Sequence, residues 1–136
     1  MKKIYFAGSI RGGRNDTLIY KDIIDWLGNY GEVLTEHIGN AKLLEQEKHL
    51  SDNEIHDRDV EWLESCSVVV AEVTQPSLGV GYELCKAMYL DKKVLCLFNT
   101  SRGGKLSAMI EGQPYFEIVY YKTNEELKEV LHNFFN

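Results

Sequence analysis

The sequence predicts an α/β protein in which helices cover both faces of a doubly wound, five-stranded parallel sheet. Short apolar runs such as residues 67–73 (SVVVAEV) are rich in β-branched residues and lack polar alternation, which indicates strands that are buried on both faces. These runs alternate with segments whose apolar residues recur at helical spacing. A length of 136 residues matches one domain, so we expect residues 1–136 to form a single unit.

The first half of the chain contains two predicted strands and two clear helices. Residues 3–7 form the first strand, and a glycine-rich loop at residues 8–14 follows it. Asn15 or Asp16 can cap a helix that ends near residues 30 and 31. The more polar residues 32–37 indicate a second strand near a sheet edge. Residues 38–51 combine a helical fragment around residues 41–46 with a polar loop, and a helix then runs from Ser51 or Asp52 to about Ser65.

The second half contains three strands and a long connection. The third strand should end near Thr74, because Pro76 cannot continue a ladder, and a helix should begin at residues 79–82 with Glu83 in its first turn. Residues 93–98 and 117–121 are the fourth and fifth strands, and residues 124–135 form a closing amphipathic helix. The long connection at residues 99–115 suggests a functional loop or an interface.

The expected strand order is 2-1-3-4-5, as in flavodoxin-like or Rossmann-like sheets. The first and third strands are then neighbours, and the chain reverses direction between them. The loop after Ala7 and the loop after Val73 should therefore face one crevice at the carboxyl edge of the sheet, where such folds bind ligands.

Composition excludes several classes of protein. A net charge of -6 argues against a partner that is duplex nucleic acid, and no apolar run is long enough to span a membrane. Cys66, Cys85 and Cys96 are odd in number and lack CxxC spacing, so we expect buried, reduced thiols rather than disulfides or a zinc site. We predict a cytoplasmic protein with no metal and no cofactor.

The loop at residues 8–14 (GSIRGGR) is the predicted anion site. It matches neither the GxGxxG dinucleotide motif nor a Walker loop, but it places three glycines and two arginines at the end of a strand and the start of a helix. A terminal monophosphate fits this composition, with Ser77 sharing the anion from the opposite side. The alternative is an ordinary tight turn with exposed arginines.

Two acids are predicted to face the same crevice. Glu83 lies beside the apolar stripe of its helix, and Asp59 lies in the middle of one, where a carboxylate is costly to bury unless it is paired or lines a cleft. Such a pair suggests glycosidic chemistry at the anomeric carbon of a nucleotide. Tyr5 could hydrogen-bond the nucleophile and His37 could touch the base or sugar, although both could also be structural. Glu83 could instead only complement the helix dipole.

Long motifs carry a resemblance to a known family. They are YFAGSIRGGR at residues 5–14, LTEH at residues 34–37, the Asp59–Leu63 segment, VVVAEVTQPSLGVGYEL at residues 68–84 and LSAM at residues 106–109. The chain resembles the 2'-deoxynucleoside 5'-phosphate N-hydrolases, relatives of the nucleoside 2-deoxyribosyltransferases. The resemblance implies that Glu83 is the nucleophile, that Asp59 assists proton transfer and that Tyr5 positions the carboxylate. It further implies a phosphate site made of Gly8, Ser9, Ile10, Arg11, Gly12, Gly13, Arg14, Ser77 and Gly79.

The resemblance also implies a homodimer, in which Ser107, Ala108 and Met109 reach into the neighbouring subunit's site. The substrate it implies is a deoxynucleoside 5'-monophosphate, hydrolysed to a free base and 2-deoxyribose 5-phosphate. Two alternatives stay open. A second base could replace water, which would give base exchange, or the chain could be a nucleotide-binding module without turnover.

Overall fold

Helices flank one five-stranded sheet in the computed structural model, which describes residues 2–11, 13 and 16–136. The strands are β1 (Lys3–Ala7), β2 (Glu32–Val33), β3 (Val68–Glu72), β4 (Lys93–Asn99) and β5 (Glu117–Tyr121). The helices are α1 (Thr17–Leu27), α2 (Leu43–Glu47), α3 (Asp52–Ser65), α4 (Leu78–Tyr89), α5 (Ala108–Glu111) and α6 (Asn124–Phe135), and short 3-10 helices cover Glu36–Gly39 and Thr100–Arg102. All strand pairs are parallel in the order β2-β1-β3-β4-β5. The predicted fold class and strand order are confirmed.

Strand β3 is central because apolar layers cover both of its faces. All five of its residues are buried, and Val69 is in register with Tyr5 of β1 and Val94 of β4. Alternate residues enter two layers, since side chains of a strand point to opposite faces. One layer packs under α1 and α6, and the other, which contains Tyr5 and Val69, packs under α3 and α4. Tyr5 therefore faces the helices that carry Asp59 and Glu83.

The second strand is much shorter than predicted. Strand β2 ends at Val33, although the Leu34 amide still donates to the Ile4 carbonyl at 2.9 Å. Beyond it, the Thr35 hydroxyl replaces backbone pairing: it accepts from the Phe6 amide at 2.8 Å and donates to the Phe6 carbonyl at 2.6 Å. The backbone is thereby released into the 3-10 helix, so His37 lies after the strand and not at its end.

Side-chain caps set the starts of α3 and α4. The predicted start of α3 is confirmed, with Ser51 as its cap, and Ser51 and Glu54 form a reciprocal capping box there. The Ser77 hydroxyl accepts from the Val80 amide, so α4 begins at Leu78, one residue earlier than predicted. The prediction that Glu83 lies in the first turn is therefore wrong: it is in the second turn, where the helix dipole contributes little.

Two further expectations are corrected. Asp16 precedes α1 but makes no capping hydrogen bond, because its buried carboxylate accepts one from the Arg102 guanidinium instead. The thiols of Cys66, Cys85 and Cys96 are all free, yet only Cys66 and Cys96 are buried, while Cys85 lies on the exposed face of α4. Across the described residues, every helix is too short or too polar to cross a bilayer.

Candidate active site

A cavity of about 500 Å³ opens at the carboxyl edge of the sheet, between α3 and the start of α4. Both loops that were predicted to share a crevice contribute to its wall, which confirms that part of the topology argument. Eight of the residues proposed from the sequence line it: Tyr5, Gly8, Ile10, Arg11, Asp59, Ser77, Gly79 and Glu83. The remaining wall is largely apolar and includes Ile38, Ile55, Val60 and Leu63.

Glu83 presents its carboxylate to this cavity from the second turn of α4. Its neighbours Val80 and Leu84 are buried against the sheet, which fixes the side of the helix that Glu83 occupies. Burial raises the pKa of the Glu83 carboxyl to about 8, and the nearby charge of Asp59 adds to this, whereas a hydrogen bond from Tyr5 opposes it. A carboxyl group that titrates near neutrality is ionised in part of the molecules, and water solvates it little in this largely apolar cavity, so its carboxylate can act as a nucleophile.

Tyr5 holds the Glu83 carboxylate from below. Its ring is 1% exposed in the layer under α3 and α4, and its hydroxyl donates to Glu83 Oε2. Burial raises the pKa of the Tyr5 hydroxyl far above its usual range, and the negative charges of Glu83 and Asp59 raise it further. The raised pKa favours the protonated hydroxyl, which donates the hydrogen bond to Glu83. The hydrogen bond expected from the sequence is present.

Asp59 lines the cavity from the middle of α3. Its side chain is 18% exposed, and it is paired with Arg58, whose Nε and Nη2 lie 3.0 and 2.9 Å from Asp59 Oδ1. Burial raises the pKa of the Asp59 carboxyl, while the charge and hydrogen bond of Arg58 oppose that rise. Both conditions expected for an acid on an apolar stripe are met, since Asp59 is paired and also faces a cleft.

The glycine-rich loop closes one end of the cavity. A side chain at Gly8 would place its Cβ 2.8 Å from the Tyr20 ring, and Gly13 has a φ of +139° with the Gln75 side chain against it. Ser9 is buried behind the wall, where its amide donates to the Tyr20 hydroxyl at 3.0 Å. Gly12 and Arg14, which were also proposed for phosphate binding, lie outside the described residues.

Arg11 is the arginine of this loop that lies within the described residues. Its guanidinium is exposed and forms a 2.9 Å ion pair with Asp52, the first residue of α3, across the mouth of the cavity. Exposed ion pairs of this kind contribute little to stability, so the contact can yield to a stronger anion. Ser77, across the cavity, caps α4 as described above.

His37 is placed differently from the sequence-based hypothesis. It is not among the described residues that line the cavity. Its Nε2 lies 3.2 Å from Arg58 Nη2 and 3.6 Å from the Glu47 carboxylate, and its ring lies against Trp62 with centroids 5.4 Å apart. His37 therefore supports the wall behind Asp59.

Ser107 and Met109 line a second cavity, of about 620 Å³, between α4 and α5. The two cavities share the wall formed by Ser77, Leu78 and Val80. Leu78 is 97% exposed and Met109 is 82% exposed, and Ala108 between its two neighbours is also exposed. Glu83 and Asp59 line the first cavity and not the second, so the segment proposed to act across a dimer borders a different cavity from the carboxylates of its own chain.

Several cavity residues were not found from the sequence. Glu47 is buried at the end of α2, in a segment whose sequence pattern was ambiguous. Arg58, which lies behind the cavity wall, was also overlooked although it directly precedes Asp59. His56 and Tyr82 join α3 to α4 across the rim, with 2.9 Å between His56 Nε2 and the Tyr82 hydroxyl. A helical wheel of α3 places His56 one turn from Asp59 and could have suggested it.

The arrangement combines two acids, a buried phenol and a glycine-rich loop around one cleft. Within residues 2–11, 13 and 16–136, the His, Cys, Asp and Glu side chains form no group suited to holding a metal ion. A carboxylate that a phenol orients, with a second carboxylate nearby, is suited to nucleophilic attack on a sugar carbon and to proton transfer.

Comparison with known proteins agrees with this chemistry. A family model described as nucleoside 2-deoxyribosyltransferase matches residues 4–116. The chain is 50% identical to a 5-hydroxymethyl-dUMP N-hydrolase of Tetraodon nigroviridis, covering 98% of this chain and 97% of that protein. It is 51% identical to a protein of the same name from Danio rerio, covering 97% and 94%.

Among solved structures, the CMP N-glycosidase BcmB of Clostridium botulinum has the same fold. The TM-score is 0.69 at 20% sequence identity, and the match covers 98% of this chain and 99% of that one. The match of the family model to most of the chain and the identity to relatives of nearly equal length confirm the resemblance seen in the sequence. The chain belongs to the nucleoside 2-deoxyribosyltransferase family.

Proposed function

We propose that the protein hydrolyses the N-glycosidic bond of 2'-deoxynucleoside 5'-monophosphates, releasing a free nucleobase and 2-deoxyribose 5-phosphate. The observation that carries the proposal is the Tyr5 to Glu83 hydrogen bond at the floor of a cavity that the glycine-rich loop and Asp59 also line. Relatives about half identical to this chain are named N-hydrolases of a deoxynucleoside monophosphate, which supports the same reaction class.

In this proposal, Glu83 acts as the nucleophile. Its ionised carboxylate attacks the anomeric carbon, the bond from that carbon to the base nitrogen breaks, and the base leaves with the electron pair and takes a proton from the Asp59 carboxyl group. Water then attacks the glycosyl-enzyme ester, and Asp59 assists by accepting the proton of that water. Tyr5 fixes the carboxylate and remains protonated throughout. The near-neutral pKa of Glu83 suits a group that is first a nucleophile and then a leaving group.

The phosphate is proposed to bind at the glycine-rich loop, with Ser77 and Gly79 on the opposite side. Arg11 would exchange its exposed ion pair with Asp52 for a dianionic phosphate, which offers more charge and more acceptor oxygens. Arg11→Ala should therefore raise KM for the nucleotide about 10-fold or more, because one charge-assisted contact is worth about 1.5–3 kcal/mol. The rate on the unphosphorylated nucleoside, which lacks this contact, should not change.

The central test measures free base by chromatography from a panel of deoxynucleoside and ribonucleoside monophosphates. Glu83→Gln should still bind a deoxynucleotide in calorimetry while base release falls by orders of magnitude. Glu61→Gln, at an exposed position of α3, is the matched control and should retain activity. Full turnover by Glu83→Gln would reject the assignment of the nucleophile. A new nucleotide formed on adding a second free base would identify base exchange instead of hydrolysis.

We also propose that the protein acts as a homodimer in which Ser107 to Met109 complete the neighbouring site. The exposed Leu78 and Met109 beside the second cavity support this, since large apolar side chains in one patch are typical of an interface.

Mixing two inactive variants tests the dimer and the shared site together. In a heterodimer of Glu83→Gln and a Ser107 variant, one site carries both defects and the other carries neither. Recovery of activity on mixing is therefore expected. Two variants that stay inactive after subunit exchange, or a monomer in sedimentation, would contradict the proposal.

A further inference from the structure

Arg58 lies behind the cavity and connects three elements that sequence patterns did not link. From α3, its Nη2 donates to Glu47 Oε2 of α2 at 2.5 Å, and its Nε donates to Asp59 Oδ1 at 3.0 Å. The same Nη2 lies 3.2 Å from His37 Nε2. The guanidinium carbon lies 5.0 Å from the centre of the Trp62 ring, which supports its flat face.

The ion pairs of Arg58 with Glu47 and Asp59 are largely buried, so the loss of one partner should have a large effect. The side chains of Arg58, Glu47 and Asp59 are 27%, 10% and 18% exposed, so one cation balances two carboxylates that water solvates poorly. Losing a single partner from such a group leaves an uncompensated charge. The guanidinium is also planar with donors in fixed directions, so its contacts restrict how the Asp59 carboxylate can turn.

We propose that Arg58 is a positioning residue for the reaction: it divides its guanidinium between Asp59 and Glu47, so that α2 controls the orientation and charge of the Asp59 carboxylate. The catalytic role of Arg58 rests on the proposed function. Its contacts with Asp59 and Glu47 are independent of that function. It gives a role to residues 43–47, which reach the chemistry through Arg58.

Several charged groups among the described residues face Asp59, and together they determine how its carboxyl group titrates. Arg58 and His56 on its own helix favour the ionised carboxylate, while Glu47 of α2 and Glu83 of α4 disfavour it, and Tyr5 of β1 lies close enough to be influenced by it. Removing Arg58 deletes the main stabilising partner. Removing the charge of Glu47 deletes a repulsion and also leaves Arg58 to interact with Asp59 alone.

The two substitutions should therefore move the Asp59 titration in opposite directions. We expect Arg58→Met to raise its midpoint by about 1 pH unit or more, because an opposite charge within hydrogen-bonding distance lowers a carboxyl pKa by roughly 1–3 units. Glu47→Gln should lower the midpoint, and Arg58→Lys should restore part of the wild-type value, since it keeps the charge but not the paired geometry.

The experiment follows the Asp59 side-chain carboxyl carbon by NMR as a function of pH, with Asp59→Asn to assign the signal. It then compares the pH dependence of base release from a deoxynucleoside monophosphate. Lys128→Met is the matched control, because it removes a cation 5.1 Å from the centre of the Trp26 ring, outside the cavity. It should shift neither curve.

Opposite shifts in the two variants support the proposal, and shifts in one direction, or none, overturn it. A merely structural role would lower the melting temperature in both variants without opposite shifts. If Arg58→Met does not fold, the downward shift expected of Glu47→Gln decides alone. If wild-type protein releases no base, the proposed function fails while the NMR titration still tests the role of Arg58.

Discussion

Removing the Tyr5 hydroxyl should shift the pH dependence of catalysis in a calculable way. The hydroxyl donates to Glu83, and this contact opposes the burial that raises the pKa of Glu83 to about 8. In Tyr5→Phe, burial remains and the hydrogen bond is lost. A hydrogen bond to a charged group contributes about 1.5–3 kcal/mol, and each pKa unit corresponds to about 1.4 kcal/mol. The pKa of Glu83 should therefore rise by about 1–2 units.

The consequence is a loss of activity that depends on pH. At pH 7 a carboxyl with a pKa of about 8 is ionised in about one molecule in ten. A rise of 1–2 units lowers that fraction, and with it kcat/KM, by about 10- to 100-fold. At pH 10 the variant should reach about half or more of the wild-type kcat/KM, because a nucleophile whose pKa has risen by 1–2 units from about 8 is then at least half ionised.

The assay is base release from a deoxynucleoside monophosphate between pH 5.5 and 10. The substrate phosphate titrates near pH 6 in every variant, so the difference between variants isolates the protein group. Tyr121→Phe is the matched control, since Tyr121 also donates to a buried acid, Glu72, but on the other face of the sheet. A Tyr5→Phe profile that overlays the wild-type curve, or that falls by the same factor at every pH, would refute the reasoning.

Three further predictions concern stability. Because the folded protein keeps the Glu83 proton up to about pH 8 and the unfolded chain releases it near 4.5, wild-type stability falls across that range. The free energy of unfolding of Glu83→Gln should therefore exceed that of wild type by on the order of 3 kcal/mol at pH 7. In calorimetry the variant should unfold at a higher temperature at pH 7, and the difference should vanish near pH 4. Arg102→Met should cost about 2 kcal/mol in urea unfolding, because it leaves the buried Asp16 unpaired, and Asp16→Asn in addition should recover part of this loss. Ser51→Ala should cost about 1 kcal/mol by removing the cap of α3, and an unchanged midpoint would contradict the capping box.

The sheet could be predicted because burial on both faces leaves a direct mark on sequence. Residues 68–71 and 94–98 are continuous apolar runs, and they form most of β3 and β4. The second strand could not be predicted as well, because Thr35 replaces ladder hydrogen bonds with its hydroxyl and so ends the strand early. A side chain that substitutes for backbone pairing leaves no periodic pattern.

The site shows the same division between local pattern and tertiary contact. Helical spacing placed Glu83 beside an apolar stripe and Asp59 in the middle of one, and both line the cavity. The ion pair between Arg58 and Glu47 could not be inferred, because it joins α3 to the short helix α2, whose sequence pattern is weak. Only the packing of α2 in the folded protein buries Glu47. The contacts of His37 with Arg58 and Trp62 could not be predicted either, because they too depend on tertiary packing.

The cap of α4 has a consequence for ligand binding. Ser77 Oγ uses a lone pair to accept from the Val80 amide, which leaves its own hydrogen available to an incoming anion. Docking at this hydroxyl would polarise the existing contact and strengthen it, because linked hydrogen bonds reinforce one another. Ligand arrival should therefore tighten the first turn of α4, so that slower amide exchange at Val80 would report occupancy of the neighbouring cleft.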